Sequence, residues 1–220
     1  MDNLSRCFEG LFAKMPSGLE ARTFELIAGD AALDLVNTLD WRFRDSGTEE
    51  LIGGYDDVAG FTEQTGLLSA KQAKALRRGT STYAGNRVVG EVRELREALA
   101  DLLYSGLDGM NSSGASIKTL ERFFQQAREQ TKLVRDGARL RWEWAGAETK
   151  AEFPLWLLAR AASRLMLSEN VQKVRACDNP ACRWLFLDTS KNHTRRWCDM
   201  KICGNRMKAR RFKAQHKAGV

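Results

Sequence analysis

The sequence predicts a mainly α fold of the α+β kind, with a helical N-terminal domain, a small antiparallel β element and a cysteine-rich C-terminal module. Apolar residues recur at three- and four-residue spacing over most of residues 21–170, as they do in helices that bury one face. This spacing gives way to alternation only near residue 136. Four of the five cysteines fall within residues 177–203. We therefore expect two domains, residues 21–170 and 171–220.

The first predicted elements lie at the start of the body. Residues 1–20 lack periodicity and are expected to be flexible, and residues 23–27 predict a short strand. Asp30 is a suitable N-cap for the first helix, because its carboxylate can accept a hydrogen bond from the first turn. Four apolar residues share one face of this helix, namely Leu35, Val36, Leu39 and Phe43. The opposite face carries Asp34, Asn37, Thr38 and Trp41.

This opposite face is a candidate ligand-binding surface. An aromatic ring beside amide and carboxylate groups is suited to line a small-molecule pocket. The predicted effector-binding residues are Asp34, Asn37, Thr38 and Trp41, which would make residues 21–170 a ligand-sensing domain. An exposed or interdomain face is the alternative interpretation of the same pattern.

Five further segments predict amphipathic helices. They are residues 56–65, 70–78, 87–106, 116–130 and 152–169. Ser69 is a suitable N-cap for the second of them, and Pro154 lies in the first turn of the last, where proline is tolerated. Residues 47–54 and 106–114 predict loops, because they are polar or rich in glycine.

One segment of the body predicts strands. Residues 140–144 alternate between apolar and polar side chains, and residues 132–135 carry the strand-forming pair Leu133 and Val134 between two polar residues. They flank the pair Asp136-Gly137, which favours a tight hairpin turn. The body is therefore expected to be mainly helical, with this hairpin as its antiparallel element.

The cysteine spacing predicts a metal site. Cys177 and Cys182 have four residues between them, Cys198 and Cys203 also have four, and 15 residues separate the two pairs. Two close pairs of thiolates are typical of one structural Zn²⁺, with each pair supplied by a tight turn. Four thiolates close the coordination sphere, so a catalytic water has no position. We expect one structural zinc and no catalytic metal.

The same cysteine spacing has alternative interpretations. Two disulfides or four core cysteines could give the same spacing, but in a reducing compartment clustered cysteines bind metal more often. His193 is an alternative ligand, and His216 is expected to have no metal role. Cys7 stands apart from the cluster and is interpreted as an incidental free thiol.

The module around the cysteines predicts a treble-clef-like finger. Residues 184–187 and 194–197 are expected to pair as a hairpin, and a helix is expected at residues 202–216. Three aromatic residues, Trp184, Phe186 and Trp197, are expected to form its small core, since so short a module has little else to bury.

These residues also carry a family resemblance. Residues 198–206 read CDMKICGNR, and LFLD at 185–188 and RRW at 195–197 precede them, so that residues 172–213 resemble the CGNR zinc finger. Residues 29–39 read GDAALDLVNTL and resemble the opening of the ABATE domain. This domain is usually paired with that finger in stress-induced bacterial transcription regulators. The resemblance implies DNA binding by the finger and a regulatory role for the body.

The charge is concentrated in the module. Residues 171–220 carry 13 Lys and Arg against 3 Asp and Glu, a net +10, whereas the rest of the chain has a net −3. A basic segment after a near-neutral body indicates a polyanionic partner for that segment. The candidate nucleic-acid-binding residues are Lys191, Asn192, Arg195 and Arg196 near the hairpin tip, and Arg206, Lys208, Arg210, Arg211 and Lys213 on the helix. Asn205, at the helix start, could contact the target, but an asparagine there more often satisfies backbone groups, which is the favoured interpretation.

Other partners and functions follow from composition. RNA and an acidic protein remain alternatives to DNA, and a homodimer stays open. An enzyme is not expected, because both histidines follow residue 190 and no glycine-rich phosphate loop follows a predicted strand. No run approaches the ~20 apolar residues that span a bilayer, and the first residues do not resemble a secretory signal. We expect a cytoplasmic protein that is not bound to a membrane.

Overall fold

The computed structural model describes residues 22–217, except for the side chains of Arg211 and of residues 214–217. Within this part the chain forms seven α-helices and three two-stranded antiparallel sheets. The predicted fold class is therefore confirmed. No helix among the described residues is both long and apolar enough to cross a bilayer. The expectations for residues 1–20 and for Cys7 lie outside the described residues.

Six helices build the body. They are α1 Ala31–Asn37, α2 Tyr55–Gln64, α3 Ala70–Gly79, α4 Thr82–Leu107, α5 Gly114–Glu129 and α6 Phe153–Met166. Asp30, Ser69, Ser81 and Ser113 each accept a hydrogen bond from a first-turn N–H, which satisfies a donor that the helix leaves unpaired. The predicted helices are confirmed, although α1 ends at Asn37 and is shorter than its apolar pattern indicates.

The three sheets are short. Strand β1 Leu39–Asp40 pairs with β2 Glu49–Glu50, β3 Thr131–Asp136 with β4 Arg139–Trp144, and β5 Val174–Ala176 with β6 Leu185–Leu187. The predicted hairpin is β3–β4, with its loop one residue later than expected. Asp136 pairs with Arg139, so Gly137 and Ala138 form the loop, and Gly137 adopts a φ of 61°.

The strand predicted at residues 23–27 is wrong. This segment forms no strand in the described chain. Phe24 packs edge-on against Phe61, with ring centroids 5.2 Å apart, and its N–H donates to the Gln64 side chain at 2.9 Å. Side chains of α2 therefore hold the segment in place of a neighbouring strand.

The hairpin predicted within the cysteine module is also wrong. Strand β6 pairs with β5, which precedes the first cysteine, and residues 194–197 form no strand. The spacer instead turns around the Asp188 carboxylate, which accepts the N–H groups of Ser190 and Arg195, each at 3.0 Å. The predicted helix that follows is α7 Asn205–Lys217.

The module and the body share a core. Helix α6 contacts α1, α2, α4 and α5, with Leu155 and Leu158 buried at its centre. Val174, Leu185 and Leu187 of β5 and β6 belong to the same buried cluster. Each buried leucine contributes about 2 kcal/mol, so the hairpin and the body stabilise each other. The boundary near residue 170 stays a prediction, because packing is continuous across it.

Candidate metal centre and nucleic-acid interface

Four buried cysteine side chains meet at one point. Cys177 and Cys182 lie between β5 and β6, Cys198 precedes a π-helical turn at Met200–Gly204, and Cys203 lies within that turn. Their Sγ atoms all lie within 4.8 Å of one another, and those of Cys182 and Cys198 are 3.7 Å apart. A tetrahedron of thiolates with Zn–S bonds of about 2.3 Å has edges of about 3.8 Å. The four thiols are free rather than disulfide-bonded, and they fit one structural Zn²⁺.

Two tight turns set the spacing of the ligand pairs. In the first, the backbone carbonyl of Asn179 accepts the N–H of Cys182 at 2.9 Å. In the second, the carbonyl of Asp199 accepts the N–H of Cys203 at 3.0 Å, and its carboxylate accepts the N–H of Ile202 at 2.9 Å. Each turn therefore directs two sulfur atoms to the same point, as the four-residue spacing predicts.

Hydrogen-bond donors face the sulfur atoms. The side-chain N–H of Asn179 lies 3.5 Å from Cys203 Sγ, and the backbone N–H groups of Cys198 and Asn179 donate to Cys177. The hydrogen bonds with Cys182 and Cys198 lower the pKa of Cys177, and the bond with Cys177 raises the pKa of Cys182. Bound Zn²⁺ would neutralise two of four thiolate charges, so this environment suits a metal centre.

Aromatic side chains enclose the centre as expected. Trp184 and Phe186 are buried beside the sulfur atoms, and Trp197 and Ile27 pack against them. His193 is exposed, and its Nδ1 lies 3.0 Å from a backbone carbonyl. The alternative that made His193 a ligand is therefore wrong, and the His216 side chain lies outside the described residues.

Asn37 joins the body to the metal-binding module. Its side-chain oxygen accepts the N–H of Leu185 at 2.9 Å, and its side-chain nitrogen donates to the Leu185 carbonyl at 3.0 Å. Beside it, the N–H of Leu187 donates to the Ala28 carbonyl at 2.8 Å. A primary amide offers the same donor and acceptor as a peptide unit. Asn37 thus covers the outer edge of β6 in the way a further strand would.

The other predicted ligand residues differ in exposure. Asp34 accepts the N–H of Ala28 at 3.0 Å, and the Thr38 hydroxyl donates to the Leu35 carbonyl at 2.6 Å. Both are buried, and burial raises the pKa of Asp34 to about 6. Trp41 borders a cavity. Ligand binding by these four residues stays a prediction. Only the position of Trp41 supports it, because the polar atoms of Asp34, Asn37 and Thr38 have hydrogen-bond partners within the chain.

Arg195 has internal partners that sequence reasoning missed. Its Nε donates to the Trp197 carbonyl at 3.0 Å, its guanidinium also donates to the Cys198 carbonyl, and it lies 4.2 Å from the centroid of the Phe186 ring. Arg196 is exposed and forms an ion pair with Asp178 at 2.5 Å. The two adjacent arginines therefore have different surroundings, and this difference could not be predicted from the sequence, in which both are arginine.

The other predicted nucleic-acid-binding residues whose side chains the structure describes lie on the surface. Exposed side chains are Lys191, Asn192, Arg196, Arg206, Lys208, Arg210 and Lys213. The Arg211 side chain lies outside the described ones. Asn205 is exposed at the first position of α7, and Lys201, which the sequence pattern did not single out, is exposed in the π-helical turn. The module thus presents cations on its surface, while Trp184 and Phe186 are buried inside it and Phe212 of α7 is exposed.

Gly204 allows the second turn to pack closely, and we expect Gly204→Ala to destabilise the finger. A Cβ at this position would lie 3.2 Å from Trp197 Cδ1 and even closer to Met200 Sδ. Such overpacking costs about 1–2 kcal/mol. The expected result is faster loss of zinc to a chelator. The added substitution Met200→Ala should restore part of the difference, since Met200 is the nearer neighbour. Zinc retention equal to that of the unaltered chain would contradict the steric argument.

Comparison with known families agrees with this geometry. The model of the ABATE family, described as "Putative stress-induced transcription regulator", matches residues 29–169. The CGNR zinc finger model matches residues 173–216, which contain all four cysteines. No curated protein was found to match the chain. The ABATE match covers more than half of the sequence, so the chain belongs to the ABATE family and carries a CGNR zinc finger after that domain.

Proposed function

We propose that this protein is a transcription regulator that binds duplex DNA through the finger of residues 171–220 and uses residues 21–170 as its regulatory, ligand-sensing domain. The observation that carries the proposal is the placement of charge. With zinc bound, the module has a net charge of about +8, since Zn²⁺ and four thiolates together contribute −2. Its exposed cations lie on a helix and a loop that the metal centre holds together.

The geometry of α7 supports contact with a phosphate backbone. At about 100° per residue, Arg206 and Lys213 project from one flank of the helix, and Lys208 projects from another. Cys203 anchors the helix start at the metal. Cations on two flanks of one anchored helix suit a groove between two phosphate strands, and arginine can pair bidentately with phosphate or guanine.

Two other partners would use the same surface. RNA presents the same phosphate charge, and an acidic protein would also be attracted to exposed cations. The matched families are a regulator and a zinc finger, which favours DNA, and neither is an enzyme family. We place the protein in the cytoplasm, where thiols stay reduced and can hold zinc.

The affinity for duplex DNA should depend strongly on salt. If about six phosphates are neutralised, log affinity against log salt concentration has a slope near −5. Fluorescence anisotropy with labelled duplex, single-stranded RNA and an acidic peptide would measure this. A slope near zero would contradict phosphate contact. If RNA or the acidic peptide binds more strongly than duplex DNA, DNA is not the preferred partner.

Surface variants separate contact from folding. We propose that Lys208→Ala and Arg210→Ala each weaken binding to all duplexes and reduce the slope by about 1. Lys74→Ala, an exposed cation on α3, is the matched control and should have no effect. Arg195→Ala should lower the stability of the finger, because Arg195 holds backbone carbonyls inside it.

A further inference from the structure

A cavity of about 330 Å³ lies between the body and the finger. Trp41 and Leu51 border it from the body, and Trp184, Ile202 and Arg206 border it from the finger. This volume is at the lower end of the range for small-molecule sites. The cavity therefore has the size and the aromatic lining of a site for a small ligand.

Trp41 is held at the cavity in a strained conformation. Its φ is 54°, in the left-handed region, which costs a non-glycine residue of order 1–3 kcal/mol. The Asp40 carboxylate accepts the N–H of Trp41 at 2.7 Å and the indole N–H of Trp184 at 2.8 Å. One carboxylate thus fixes both aromatic residues. Strain of this kind is concentrated at functional sites.

The charges around the cavity favour a cation. Asp40 and Glu25 are carboxylates at its wall, and the buried Cys182, Cys198 and Cys203 line its inner side, where four thiolates with bound Zn²⁺ would have a net charge of −2. Arg206 is the one cation among the residues that border the cavity. The guanidinium of Arg206 lies 5.6 Å from the Trp41 ring centroid, and that of Arg44, which does not border the cavity, lies 4.8 Å from it. The negative groups outnumber these two arginines, so an anionic ligand would be repelled.

We propose that this cavity binds a small organic cation, which packs on the Trp41 ring in place of Arg206. Aromatic rings beside carboxylates attract such cations through the ring quadrupole and the opposite charge. Displaced from Trp41, the Arg206 guanidinium extends to the exposed side of α7. The effect on DNA affinity rests on the proposed function, whereas binding of the cation does not.

Three compounds of nearly equal shape test the charge preference. Benzamidine is cationic, benzamide is neutral and benzoate is anionic, and each is titrated into the zinc-loaded full chain by calorimetry. The expected result is saturable one-to-one binding of benzamidine, binding of benzamide at least about tenfold weaker, and no binding of benzoate. No saturable binding of benzamidine, or equal binding of all three compounds, would overturn the proposal.

Variants locate the site. Trp41→Ala should abolish benzamidine binding, whereas Trp142→Ala should keep it, because Trp142 is an exposed tryptophan of β4 that does not border the cavity. Arg206→Ala should tighten binding about two- to fivefold, which corresponds to loss of a competing exposed cation–π contact. Zinc content and melting temperature establish that each variant is folded. Unchanged benzamidine affinity of Trp41→Ala would contradict the placement of the ligand on the Trp41 ring. Weaker benzamidine binding by Arg206→Ala would contradict it as well.

Anisotropy with labelled duplex DNA tests the coupling. Saturating benzamidine should raise DNA affinity of the unaltered chain and leave that of Arg206→Ala unchanged, and by linkage DNA should raise benzamidine affinity by the same factor. If no duplex binds, the proposed function fails while the calorimetric result stands. If duplex binds and benzamidine does not, only the inference about the cavity fails. Binding of both without coupling would overturn the displacement of Arg206.

Discussion

Replacing Cys198 by Ser should abolish zinc binding and unfold the finger. A serine hydroxyl is a poor zinc ligand, and the three remaining thiolates lose the closed tetrahedron. In zinc-finger peptides metal binding contributes about 10–16 kcal/mol, most of which appears as folding free energy. The finger has few substitutes for this energy, because its own core consists mainly of Trp184, Phe186 and the cysteines. Among the substitutions considered for this chain, we expect this one to have the largest effect.

Zinc content per chain and the NMR spectrum of the indole N–H groups measure this effect. Cys198→Ser should hold less than about a tenth of the zinc of the unaltered chain, and the indole signal of Trp184 should lose its dispersion. Cys7→Ser is the matched control, since Cys7 lies far from the motif in sequence, and it should retain one zinc per chain. Full zinc retention by Cys198→Ser, or loss of zinc from the control, would contradict the assigned ligand set.

Loss of zinc should destabilise the body only in part. Val174, Leu185 and Leu187 join the core beside α6, so the body should melt at a lower temperature without zinc. The contacts between α4 and α5 and between α5 and α6 do not involve the finger, so most of the helical signal should remain. Circular dichroism before and after chelation distinguishes this partial loss from complete unfolding.

The sequence predicted what depends on local spacing. Helix periodicity and capping residues such as Ser69 act within a few residues, and each cysteine pair is set by one short turn. The metal ligands could therefore be assigned from residue type and spacing alone. The β3–β4 hairpin was predictable for the same reason, because its strands adjoin one glycine-containing loop.

Long-range pairing was not predictable in this way. Residues 194–197 were predicted to pair with residues 184–187, but β6 has its partner in β5, on the other side of the first cysteine pair. Arg195 and Arg196 are identical in type, and only the position of the Phe186 ring and the backbone carbonyls near it makes the first internal. Strand pairing and the surroundings of each arginine depend on the complete tertiary structure, which residue type alone does not predict.

Asn37→Ala should destabilise the chain by about 3 kcal/mol and loosen the finger from the body. The substitution leaves the N–H and the carbonyl of Leu185 without their partner, 148 residues away in sequence. Each buried polar group left unsatisfied costs about 1–3 kcal/mol. Asn37 is 3% exposed, so solvent does not readily replace the lost bonds. Urea denaturation of the zinc-loaded chain would measure the change in the free energy of unfolding.

The acceptor and the donor of Asn37 can be tested separately. Asn37→Asp keeps an oxygen for the Leu185 N–H but places a buried carboxylate against the Leu185 carbonyl, so it should be at least as destabilising as alanine. Asn192→Ala, at an exposed asparagine of the finger, is the control and should change stability by less than about 0.5 kcal/mol. Amide hydrogen exchange at Leu185 should accelerate in both Asn37 variants and not in the control. Unchanged exchange at Leu185 would mean that Asn37 does not cover the edge of β6, whereas fast exchange with zinc retained would establish that the side chain of one body residue holds an intact finger in place.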